Sequence, residues 1–347
     1  MGRTELIAKN NEYKRRIRIH NTIIVIACAV ILIFSFFISV NTGYTKLTPL
    51  NTLRTLLGEG TAKENLVLFD FRMPRILISM LIGAGLSLSG CIIQGVAKNA
   101  LADPGLLGIN AGAGLMVIIY ILFFSTNSFL SIFGLPFLAL LGAGVTAFFI
   151  YILAYVKGEG IAPIRLILTG IALQAGISAL TTVLVVKLDD TQYYFVANWQ
   201  AGGIWGSSWK FVMVLLPWLL ILIPYVLSKA KILDVLNLGD ALAYGLGADV
   251  EKERRRLLIA AVALAAACVA TSGNISFVGL IGPHLARRLV GPRHSILLPV
   301  SLLTGAVLVT IADTAARVIV QPSGIPTGIM VAIIGAPYFL YLLIKSK

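Results

Sequence analysis

Residues 229–256, KAKILDVLNLGDALAYGLGADVEKERRR, form the one long polar interruption in the C-terminal half of a very apolar chain. Six basic residues lie in it: Lys229, Lys231, Lys252, Arg254, Arg255 and Arg256. Between them Leu236, Leu238, Ala241, Leu242, Gly245 and Leu246 recur near helical spacing, broken by Gly239, Gly245 and Gly247. The pattern predicts two short amphipathic helical turns lying at a membrane surface, not a crossing segment. A loop that merely joined two spans would need no apolar face. At this point two readings stand open: a helix resting on headgroups, or a docking surface for another protein.

Composition fixes the setting. Of 347 residues, 58% are hydrophobic and 12% charged, with a mean hydropathy of +0.92. A soluble chain of this length cannot hide so much apolar surface, so the sequence predicts an all-α polytopic membrane protein. The net charge of +13 needs no nucleic acid, because Lys and Arg gather in particular loops, as on cytoplasmic faces along anionic lipid. Cys28, Cys91 and Cys268 all lie in apolar runs and imply no disulfide framework. His20, His284 and His294 share no metal-ligand spacing, and no phosphate-binding G-x-x-x-x-G-K-[ST] motif occurs. No catalytic triad can be drawn, so the reading is of a non-enzyme without metal or cofactor.

About ten spans follow. A basic cytoplasmic segment, 1–21, precedes a single transmembrane domain over 22–344, with 229–256 as its large inner loop. The spans are read at 22–40, 76–96, from about 106, 136–156, 165–186, 211–228, 257–271, 275–290, 296–316 and 325–344. Residues 41–75 are polar and mixed in charge, and 187–210 hold interfacial aromatics and room for a short helix. Gly83, Ser87 and Gly90 share one helical face that admits a close neighbour, and Gly108 and Gly112 repeat the spacing. The last spans are short or interrupted, at Gly282-Pro283, Pro326 and Pro337, which is tolerated where protein or a cavity satisfies the freed backbone groups. With both termini inside, basic residues of the inner segments outnumber those of the outer ones by more than two to one.

Three constellations stand out. FRMPR places Arg72 and Arg75 at the outer mouth of the second span, where headgroup snorkelling is the plain alternative. AKNALADPGLLG is a tight inner turn, and ISFVGLIGPHLARRLVG sets Pro283-His284 before three basic residues. Together with FRMPRILISMLIGAGLSLSGCIIQG, NALADPGLLGINAGAG, SFVGLIGPHLARRLVGPRH and GIPTGIMVAIIGAPYFLYLL, these pieces resemble the permease subunits of ABC importers for ferric siderophores, haem and cobalamin, over nearly the whole chain. Where that family usually has Asn-Pro-Leu-Ala, this chain has Asn99-Ala100-Leu101-Ala102.

The resemblance implies a multi-pass permease of the cell membrane, with a second permease chain, identical or related, and with lipid around it. It implies cytosolic ATP-binding subunits that dock on Leu238, Gly239, Leu242, Gly245, Leu246 and Gly247. It further implies an inner gate at Asn99 and Leu101 facing Ala162, Pro163 and Ile164. Arg72, Arg75 and Arg317 would meet an extracytoplasmic substrate-binding protein. The expected cargo is a ferric siderophore, with cobalamin or haem as the alternative. The rival from another class is an ion-driven secondary transporter, for which Asp313 is the nearest intramembrane acid. An ordinary i,i+4 pair with Arg317 accounts for that residue.

Overall fold

The computed structural model describes residues 3–43, 45, 48–124, 129–156, 160–161, 163–204, 208–320 and 324–345. Its helices are α1 (Arg3–Asn41), α2 (Pro49–Leu56), α3 (Ala62–Asn65), α4 (Met73–Ala97), α5 (Ile109–Phe123), α6 (Phe129–Ala154), α7 (Pro163–Val185) and α8 (Asp190–Gln200). They continue as α9 (Trp209–Ser228), α10 (Ala230–Asn237), α11 (Asp240–Gly245), α12 (Val250–Ser272), α13 (Val278–Val290), α14 (His294–Ile319) and α15 (Thr327–Lys345). A π-helical stretch, Leu66–Arg72, leads into α4, and a 3-10 turn, Pro104–Leu107, precedes α5. β1 (Tyr155–Val156) and β2 (Gly160–Ile161) pair antiparallel between α6 and α7, where the sequence reading ran the fourth span straight on. Among the described residues, seven helices are long and apolar enough to cross a membrane; Ile109–Phe123 and Thr327–Tyr341 are shorter apolar helices.

The bundle is built around α4, which is buried almost from end to end. The Gly83, Ser87, Gly90 face expected from spacing is its contact surface. A Cβ on Gly83 would run into the backbone of Gly305 in α14, and one on Gly90 into the backbone of Gly279 in α13. Between them Ser87 Oγ donates to the Ser301 carbonyl at 2.6 Å. On another side Ser89 Oγ donates to the Ala261 carbonyl of α12 at 2.6 Å. Small side chains thus let backbones approach, and hydroxyls bridge them where no water competes. By contrast α1, α6, α7 and α9 show apolar side chains outward, including Ile23, Phe148, Val183 and Ile221.

The break expected at Gly282-Pro283 lies elsewhere. Helix α13 runs through Pro283, and the non-helical stretch is 273–277, where Phe277 takes a left-handed φ of 69°. A proline removes one N–H and displaces the carbonyl four residues before it. That carbonyl is Gly279's, and Gln94 Nε2 donates to it at 3.2 Å from α4. The polar segment 41–75 is also more ordered than its composition suggests. Thr48 caps α2 ahead of Pro49, and Thr61 with Glu64 forms a capping box on α3.

Candidate functional site

One end of the bundle carries the segment that interrupts the apolar sequence. In α10, Leu233 and Leu236 are buried, and Gly239 at φ +106° turns the chain into α11. Only Ala243 of α11 is buried. Leu238, Leu242, Tyr244 and Leu246 stand 56–65% exposed, and Gly247 at φ +82° releases the chain toward α12. Leu238, Leu242 and Leu246 fall at i, i+4 and i+8 but do not lie on one continuous helix, because Gly239 divides them between the end of α10 and α11. They nevertheless share an apolar projection, with Gly245 between them.

Charged contacts tie this projection into the bundle, and sequence spacing gave no sign of them. Asp240 receives Lys98 Nζ at 2.8 Å and Arg254 Nη2 at 3.0 Å. Lys98's hydrogen bond, with Arg254's charge adding and partial burial opposing, holds the Asp240 carboxyl below the usual carboxylate range. Asp234 of α10 accepts from the His294 backbone N–H and faces its Nδ1, both at 2.8 Å, at the start of α14. Lys229 meets Glu253 of α12 at 2.7 Å.

Lys98 also ends α4, in a left-handed conformation, so the Asp240 contact grips the turn that holds the expected gate. Asn99 Oδ1 accepts the Leu101 N–H at 2.9 Å, an Asx turn. The Asn99 side chain is exposed and Leu101 half-buried. Asp103, a few residues on, is buried and accepts from the backbone N–H groups of Gly105 and Phe277. Of the facing turn, Ala162 lies outside the described residues, Pro163 opens α7 and Ile164 is 73% exposed.

At the other end the arginines are partnered within the chain. Arg72 is buried and donates to the carbonyls of Val40 and Thr45. Arg75 and Arg317 both bind Asp313, through Nη2 at 2.9 Å and Nε at 3.1 Å, and Thr327 Oγ1 donates to the same carboxylate at 2.9 Å. Arg317 further reaches Ser39 Oγ at 2.6 Å and the Thr42 carbonyl at 3.1 Å. Three residues apart, Arg72 and Arg75 would share one face of a regular α-helix and could address one acidic partner. The structure corrects this: the π-helical turn sends Arg72 to the end of α1 and Arg75 to α14. The i,i+4 pair of Asp313 with Arg317 is present, and Arg75 joins it from another helix.

Comparison with known proteins identifies the family. Residues 31–345 match the model of the FecCD transport family. The iron(3+)-hydroxamate import system permease protein FhuG of Bacillus subtilis (strain 168) is 52% identical over 321 residues, 91% of this chain and 95% of that protein. The iron-uptake system permease protein FeuC of the same strain is 40% identical over 324 residues, 92% of this chain and 96% of that one. A solved metal-chelate type ABC transporter in an inward-facing conformation superposes with a TM-score of 0.81 at 30% identity. That match covers 94% of this chain and 99% of the other.

Proposed function

The chain belongs to the FecCD transport family and is the membrane permease subunit of an ABC importer, and on that premise we propose that its cargo is a ferric hydroxamate siderophore. The observation that carries this choice is the identity shared along almost the whole chain with an iron(3+)-hydroxamate permease. Ten helices cross the membrane in this reading: α1, α4, α5, α6, α7, α9, α12, α13, α14 and α15. Both termini and the α10–α11 segment lie in the cytoplasm, which the excess of basic residues in those segments supports.

ATP is hydrolysed on a separate subunit, whose groove receives Leu238, Leu242, Tyr244 and Leu246. Burying each of these leucines contributes about 1.5–3 kcal/mol. Force on α11 passes through Asp240 to Lys98, adjoining Asn99 and Leu101, which with Pro163 and Ile164 close the inner gate. Helix α7 leaves apolar Leu168 and Ile171 and polar Ser178 all exposed, which suits a second permease chain and a shared pathway better than lipid alone. Docking of the extracytoplasmic binding protein falls to Arg75, whose side chain keeps 28% of its exposure, while Arg72 and Arg317 hold the rim in shape. An ion-driven carrier is disfavoured because Asp313 is fully buried against two arginines and a threonine, leaving it no vacancy for a coupling ion.

The test is uptake of a radiolabelled ferric trihydroxamate into proteoliposomes holding the permease with its ATPase and binding protein. Uptake should require ATP and exceed that of haem and of a ferric catecholate. Accumulation driven by an ion gradient without ATP would defeat the mechanism; preference for haem would defeat the cargo.

A further inference from the structure

A groove of about 530 Å³ lies where the basic end of α1 meets the start of α14. Its wall on α1 includes Lys14, Arg18, Asn21 and Val25, positions that recur every three to four residues and so form one stripe, with Ile17 beside it. The facing wall holds Arg293 and Ile296. Along α1 the cations Lys14 and Arg18 flank Ile17 in the first turns of the lining, and Val25 and Ile26 form its last turn. None of the described residues lining it is acidic. Among the described residues Lys14, Arg18 and Arg293 take no ion pair, while the neighbouring Arg16 is held by Glu12.

We propose that this groove is a binding site for one anionic phospholipid. Its phosphate would sit among Lys14, Arg18 and Arg293, and an acyl chain would follow Val25 and Ile296. Three observations choose this occupant. At the apolar end of the groove the lining residue Ile26 is exposed, and the same side of α1 carries exposed Ile33 two turns on, as on the hydrocarbon-facing side of a membrane span. The cations stand at the boundary of that span, where a phosphate lies and where guanidinium forks bind it well. Arg293 stands at the N-cap of α14 with its side chain exposed at the same place, while Asp234 takes the His294 N–H behind it. A protein partner would leave the acyl-like floor facing lipid, and a free phosphate would leave it empty. The next residue, His294, carries the Asp234 contact to α10, so the lipid would brace α1 against the element that anchors the ATPase-docking segment.

Native mass spectrometry of the purified full chain tests this, with titration of 1-palmitoyl-2-oleoyl-phosphatidylglycerol, the matching phosphatidylcholine, and glycerol 3-phosphate as competitor. Each basic side chain near an anionic headgroup is worth about fivefold, so Arg18→Gln/Arg293→Gln should weaken phosphatidylglycerol about 25-fold. Both positions are exposed, so the fold should hold, and an unchanged unfolding midpoint in detergent verifies this. Lys231→Gln/Lys252→Gln removes the same charge from the other inner segment and should change affinity less than twofold. Wild type should prefer phosphatidylglycerol to phosphatidylcholine at least tenfold, and glycerol 3-phosphate should fail to compete at equal concentration. Equal loss in both double variants would show diffuse attraction only and overturn the site. Competition by glycerol 3-phosphate, or equal binding of both lipids, would overturn it as well.

Discussion

Asp313→Asn is the sharpest perturbation the structure offers. The carboxylate is fully buried and serves Arg75 at 2.9 Å, Arg317 at 3.1 Å and the Thr327 hydroxyl at 2.9 Å. Asparagine fills the same volume but carries no charge, and its amide nitrogen turns a donor toward one of two guanidinium groups. Arg75 is partly exposed, and water takes over much of its partnership, so its share is about 0.2–1 kcal/mol. Arg317 is nearly buried, at 13% exposure. Removing one side of a buried pair costs about 3–5 kcal/mol, and the bonds to Ser39 and Thr42 keep this case at the lower end. The sum expected is roughly 3–4 kcal/mol. Unfolding in SDS, followed for Asp313→Asn, Arg317→Gln and the double variant, measures it as a cycle. A coupling of about 2 kcal/mol or more is expected between the two positions. A wild-type midpoint for Asp313→Asn, or additivity within about 0.5 kcal/mol, would refute the clasp and return these arginines to surface service.

Leu242→Asp should abolish co-purification of the ATPase while leaving the permease folded, because the side chain is 61% exposed and supports nothing inside the chain. Asp240→Asn should leave assembly intact but lower the ratio of substrate moved to ATP hydrolysed, read in proteoliposomes. The depressed Asp240 carboxyl adds a pH signature. Its stabilising share is complete above the unfolded carboxylate value, about 3.9, and is lost as pH falls through the lower folded value. Asp240→Asn should therefore flatten the acid limb of thermal unfolding below about pH 4. Gly90→Ala should cost about 1–3 kcal/mol, since the new methyl meets the Gly279 backbone. Gly144→Ala, which meets only open space in α6, should gain up to about 1 kcal/mol from helix propensity.

Hydropathy and small-residue spacing made the core legible. Gly83, Ser87 and Gly90 could be assigned to one contact face because helix geometry alone fixes which side chains share a side. The span at 257–271 came out too short, because Arg254, Arg255 and Arg256 look like a loop to a hydropathy window. In the structure they form the first turns of α12, helical but beyond the apolar length. Pro283 misled for a related reason: whether a proline breaks a helix depends on who takes its orphaned carbonyl, and Gln94 lies 185 residues from Gly279. The hairpin of β1 and β2 has no alternation long enough to register.

Arg72, Arg75 and Arg317, read from the sequence as outer, show where local reasoning stops. Their positions against the charge bias signalled that positive charge there needs a cause. What the cause is depends on Asp313, which is 238 residues from Arg75, and no spacing rule reaches that far. The same holds at the other end for Asp234 with His294 and Asp240 with Lys98. These distant pairs share one property. Helix α14 begins at the His294 contact with α10 and ends near the Asp313–Arg317 clasp, so a single helix is pinned near both of its ends. It packs on α4 through Gly305 and Ser301, contacts too close to slide without lifting a backbone. A push on α10 should therefore be met by α14 and α4 together, whereas the half-exposed Lys98–Asp240 bond at the start of the turn is the contact expected to yield, with Asp103 holding the far end buried. The proposed gate then has a mechanical sense: the frame should resist, and the start of the turn beside Asn99 and Leu101 is the part expected to move.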